Sequence, residues 1–267
     1  MLQTRSLATL IAVAMLLAAA VGVQAAPGQQ SAAVKSQSRP SGSNGASAAL
    51  TELARWRPAQ AREQLVAAGA ASSESSTLRS AWGVLLEVEG KPDDALAALD
   101  QAVALDAADF QAHFYRGEVL YGQQRQGDAK AEWQKARDRA SSRVNADSGD
   151  AAAQFVLGAA KVRLQQYPKA REALEAAASA GFDQAMVKYQ MGLSHAFEQN
   201  WQQSVDLLTA TLGIDGGFAH AYYYRGLCWD KLGRKDKMLS DLDRFVSLAP
   251  KAPEAERAVA ILQAAGR

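Results

Sequence analysis

The side chains best suited to chemistry are few and far apart: His113, His195, His220 and a single cysteine, Cys228. A structural zinc site needs four such ligands at close spacing, and a nucleophile needs a base beside it. Neither arrangement exists here. Paired carboxylates at catalytic spacing are also missing. The run Gly213-Ile214-Asp215-Gly216-Gly217 lacks the lysine and the strand context of a phosphate loop, so it reads as a turn. One cysteine cannot form an intramolecular disulfide. The expectation is a protein without catalytic residues, cofactor or metal. Its histidines belong in a core or interface, and its thiol is small and buried.

The elements that position these residues follow from composition. The chain has 267 residues, 48% of them hydrophobic, but 57 are alanine and only 7% are aromatic. That favours helices meeting at small residues over a β-sandwich or barrel, which draws on β-branched and aromatic side chains. Basic and acidic residues number 29 and 28. A globally basic nucleic-acid binder is excluded, and no nucleic-acid partner is expected.

Residues 1–25 read as an export signal. Arg5 precedes an apolar stretch from Leu7 to Val23, and Val23-Gln24-Ala25 offers small residues for cleavage before Ala26. The expected location is the periplasm. Secretion, or anchoring by this segment left uncleaved, are the alternatives, and membrane contact is expected through it alone. Residues 26–47 are rich in Ser, Gln, Gly and Pro and read as a disordered linker.

From residue 48 onward the chain repeats. Gly83, Gly117, Gly158, Gly192 and Gly226 are spaced by 34, 41, 34 and 34 residues. Twelve residues after each stands Ala95, Ala129, Ala170, Ser204 or Met238. Four further on stands Leu99, Trp133, Leu174, Leu208 or Leu242. Three beyond that stands Ala102, Ala136, Ala177, Thr211 or Phe245. Helix-turn-helix units stacked side by side explain the pattern: small residues let two helices approach, and the large one fills the gap. Numbering each unit from 1 to 34, the four positions are places 8, 20, 24 and 27. Ala49, Ala61, Leu65 and Ala68 fit the same frame one unit earlier.

The pattern resembles the tetratricopeptide repeat family. Leu157-Gly158, Ala95, Trp133, Ala136 and Pro250 match its positions directly, whereas Arg116, Arg225, Lys161 and His195 depart from them. The resemblance implies an all-α fold, a right-handed superhelix of helical hairpins. The units fall at 42–75, 76–109, 110–143, 151–184, 185–218 and 219–252, with a capping helix at 253–265. Seven extra residues, Val144 to Asp150, form a loop that bends or splits the array.

The resemblance also implies a non-enzymatic scaffold of the bacterial cell envelope. It binds an unidentified protein or peptide in a concave groove lined by places 2, 5, 9, 12 and 13. Those places give the candidate site: Phe114, Tyr121, Phe155, Arg163, Met186, Tyr189, Leu193, Phe197, Tyr223 and Leu227. Place 5 is Phe, Phe, Tyr, Tyr in four units. These rings either anchor a partner or pack against neighbouring helices. Binding of a cell-wall polymer or carbohydrate by the same rings is the alternative function. The Lys at place 5 and Asn at place 9 that clamp a free C-terminal carboxylate in the family are missing.

Overall fold

The computed structural model describes residues 42–54 and 56–266; the export-signal reading and most of the linker reading lie outside them. Thirteen α-helices follow one another among the described residues. The six hairpins are α1 (Gly42–Ala54) with α2 (Pro58–Ala67), α3 (Ser76–Val88) with α4 (Pro92–Leu105), α5 (Phe110–Gly122) with α6 (Gln126–Ala146), α7 (Ala151–Arg163) with α8 (Tyr167–Ser179), α9 (Gln184–Phe197) with α10 (Trp201–Ile214), and α11 (Ala219–Lys231) with α12 (Lys235–Leu248). A last helix, α13 (Ala255–Ala264), closes the right-handed superhelix.

Local chemistry sets the ends of these helices. Side-chain oxygens of Ser75, Asp109, Asp150 and Asp183 accept backbone N–H groups at the starts of α3, α5, α7 and α9. Proline opens α2, α4 and α8, where its missing N–H costs nothing. The turn inside every hairpin has a left-handed residue at place 15: Trp56, Gly90, Gln124, Gln165, Gln199 and Gly233. The next residue then donates to the carbonyl five back, as Lys91 does to Leu86 at 2.9 Å and Gln166 to Lys161 at 2.8 Å.

Packing inside a hairpin follows the expected frame. A Cβ added at Gly83, Gly117 or Gly158 would lie 2.7, 2.6 or 2.7 Å from Leu99, Trp133 or Leu174. In these three units only glycine leaves room for the large residue at place 24 to lie across the first helix. Ala95, Ala129 and Ala170, at place 20, are fully buried on the other side of the contact.

Two expectations are corrected. Residues 42–47 are not linker but the start of α1, and Ala46, Ala49, Leu50 and Leu53 bury one face of that helix. The added residues after 143 are not a loop either. α6 has 21 residues where α4, α10 and α12 have 14. Its C-terminal turn repeats that of α4: Asp109 N donates to Asp106 O at 3.1 Å and Asp150 N to Asp147 O at 3.2 Å. The extra length is therefore two helical turns inside α6, with Ala140 fully buried and Val144 half-buried.

The two ends of the array meet. The ring of Trp56, in the first hairpin, lies 5.3 Å from that of His220 in the last, and His220 lies 5.5 Å from Phe245. Glu254, just before α13, is fully buried and places Oε2 3.4 Å from His220 Nε2. A cleft of about 700 Å³ runs along this seam, between Trp56, Arg62 and Glu87 on one side and Leu248, Pro250 and Pro253 on the other.

Candidate functional site

Place 5 belongs to the core. Phe114, Phe155 and Tyr189 are 0% exposed and Tyr223 1%. Met186 and Leu193 are buried with them, and Leu227 is half-buried. The reason is what each ring meets. Phe155 stacks on Phe182 with centroids 4.2 Å apart, Tyr189 lies 4.7 Å from Phe218, and Tyr223 lies 5.0 Å from Phe245. Phe182 and Phe218 come from the turns that lead into the following unit. A row of rings open to a partner along the concave face is therefore corrected to a row of internal contacts.

Three of the ten candidate residues do come together at a surface. Tyr121, Arg163 and Phe197 line a cleft of about 500 Å³ at the edge of the array where first helices turn into second helices. Trp133, Tyr167, Val162 and Leu164 complete its apolar part, and Gln126, Lys130 and Gln165 its polar part. Sequence reasoning assigned Trp133 to gap-filling and passed over Tyr167 and Lys130. Their proximity in the hairpin turns of units three and four was the available signal.

The long α6 explains why a cleft exists here. Seven more residues carry the start of α7 about 10 Å further along the helix axis. Since α7 has the same 13 residues as α3 and α5, its end is set back from the preceding turn. The partners record the offset. A Cβ at Gly122, place 13 of unit three, would lie 3.5 Å from Glu87, place 12 of unit two. Arg163, place 13 of unit four, instead meets Glu118, place 9 of unit three. The recess exposes edges of Tyr121 and of the first turns of α6.

The floor of the cleft is a buried ion pair. Arg163 Nε donates to Glu118 Oε1 at 2.8 Å and its second nitrogen donates to Oε2. Their side chains are 5% and 0% exposed. Burial pushes the Glu118 carboxyl up, while the Arg163 charge and hydrogen bond pull it down. The guanidinium also stacks 5.3 Å from the centre of the Trp133 ring and 5.8 Å from Tyr121. A planar cation held at two points and packed against two touching rings is a stiff surface. Across the cleft, Tyr167 and Phe197 lie 6.2 Å apart.

His113 and Cys228 have structural partners. His113 Nδ1 is 2.7 Å from Glu132 Oε2, with Arg116 and Lys135 also on that carboxylate. Burial would raise Glu132, but the hydrogen bonds from His113 and Lys135 and the charge of Arg116 hold it at about 2. His195 is half-buried, which lowers its pKa. Cys228 is buried beside Ser204 at 3.3 Å, and burial pushes its thiol up to about 11. That environment does not activate a thiol. Among the described residues no three His, Cys, Asp or Glu side chains group as a metal site, and no helix is long and apolar enough to cross a membrane.

Comparison with known proteins bears on the fold. Residues 80–144 match the tetratricopeptide repeat family. No curated protein matches the chain. Among solved structures, TTC0263, a thermophilic tetratricopeptide repeat protein of Thermus thermophilus, is similar at 18% identity, over 71% of this chain and 100% of that one, with a TM-score of 0.56. The Cut9–Hcn1 hetero-tetramer of the APC/C matches at 14% identity, over 83% of this chain and 42% of that one, with a TM-score of 0.50. YrrB, described as a tetratricopeptide repeat protein with an unusual peptide-binding site, matches at 23% identity over 73% and 96% of the two chains, with a TM-score of 0.39. The family match thus covers the second and third units, and with one hairpin grammar running through all six, the fold is that of a tetratricopeptide repeat array.

Proposed function

We propose that this chain is a non-enzymatic docking scaffold of the cell envelope, and that it seats a segment of a partner protein in the cleft between Tyr121 and Phe197. The carrying observation is the recess left by the long α6, lined by aromatic edges on a floor fixed by Glu118 and Arg163. Aromatic side chains around a preformed depression are the usual anchors of protein interfaces. Stacked hairpins also supply a rigid frame, so little ordering is needed on binding. The envelope location rests on the leader-like pattern of residues 1–25.

The test is selection of binders from a displayed peptide library on the full chain, repeated on Phe197→Ala and Tyr121→Ser. The expected result is a set of sequences retained by the unaltered protein and lost by both variants, whose melting temperatures stay close to the parent. Peptides indifferent to both substitutions would move docking elsewhere. Intact mass of exported protein tests the location, with an N-terminus at Ala26 expected.

A further inference from the structure

The charges around the cleft are one-sided. Its lining contains two cations, Lys130 and Arg163, and no carboxylate. Arg163 is neutralised from behind by Glu118, whereas Lys130 has no carboxylate partner among the described residues. The chain as a whole is balanced to within one charge, so this excess is local.

We propose that the partner segment is acidic: a large apolar side chain enters between Tyr121, Tyr167 and Phe197, and a flanking Asp or Glu meets Lys130. This rests on the docking reading above and specifies its partner. A purely apolar segment would leave Lys130 without a counterpart. A neutral sugar would use the rings and gain nothing from the charges. An acidic segment uses both, and complementary charge also speeds its approach.

The selected peptides decide the matter. The expected pool carries net negative charge around a Phe, Tyr, Trp or Leu. A selected peptide with its Asp and Glu changed to Asn and Gln should bind the full chain about tenfold more weakly. Lys130→Glu should weaken the acidic peptide and leave the amide version unchanged, and added salt should weaken only the acidic one. A neutral or basic pool that still depends on Phe197 would overturn the acidic partner and leave the docking reading standing. No Phe197-dependent peptide would overturn both. Phe197-dependent binding of a neutral chitin oligosaccharide, with no such peptide, would transfer the cleft to carbohydrate.

Discussion

The indole of Trp56 meets the imidazole of His220 edge-on, with centroids 5.3 Å apart and planes at 62°. One residue lies in the turn of the first hairpin and the other in the first turn of α11. Solenoid units ordinarily stabilise only their neighbours. This contact adds a bond between the ends. Trp56 is 7% exposed, and Trp56→Ala should cost about 3–5 kcal/mol as a large core truncation. Amide exchange should quicken in α11 and α13 as well as in α1 and α2. A change confined to α1 and α2 would mean that the ends fold independently.

Glycine at place 8 should respond unequally across units. At Gly117 an added Cβ would lie 2.6 Å from the Trp133 ring, whereas at Gly226 its closest neighbours are 3.4 Å away. Gly117→Ala should lose about 1–3 kcal/mol by overpacking. Gly226→Ala has room, and alanine's better helix propensity should leave it neutral or more stable by about 1 kcal/mol. Chemical denaturation of the two variants checks the ranking.

Glu87 makes stability depend on pH at the seam between the ends. Burial pushes its carboxyl up to about 7, and Oε2 has no hydrogen-bond partner among the described residues. A raised carboxyl pKa in the fold means that the protonated form is preferred there. Its contribution is complete below about pH 4.5 and is lost as pH rises through about 7, a change of up to about 3 kcal/mol. The melting temperature should therefore fall between pH 5 and pH 8 by more than in Glu87→Gln. Parallel profiles for the two proteins would show that Glu87 is ionised throughout.

Removing Ala140–Ala146 should return unit three to 34 residues by joining Arg139 to Asp147, as Leu105 joins Asp106 in unit two. The shortened protein should still unfold cooperatively, since the turn that follows is unchanged. It should lose the cleft, and selected peptides should bind at least about tenfold more weakly, as expected when central interface contacts are removed. Full binding by a folded deletion variant would show that the recess does not form the site.

The repeat frame was legible because one glycine, one alanine and one large residue recur at fixed offsets, each with a single packing duty. Accessibility was not. Whether the Phe155 ring is open depends on Phe182 in the next turn, which no periodicity within helices reveals. The extension of α6 was hidden by Ser141, Ser142 and Asn145, which are weak helix formers. Trp133, Ala136, Ala140 and Val144, spaced 3, 4 and 4, were the sign that its apolar face continued. The first turn of α1, Gly-Ser-Asn-Gly, has low propensity and forms because the face that follows it is packed.

Seven is the addition a helix absorbs with least change of bearing. Seven residues at 3.6 per turn fall about 20° short of two full revolutions. Ala129, Trp133 and Ala136 thus keep the directions of Ala95, Leu99 and Ala102, and the residues that hand the chain to α7 keep theirs. An addition of five, about 140° beyond a full turn, would have swung every later hairpin to another side of the molecule. The chain instead translates the second half of its array with little turn, like a vernier scale moved by one division. The cleft is the gap between the two rulings, so its depth is fixed by the length of α6 while its walls remain ordinary repeat residues.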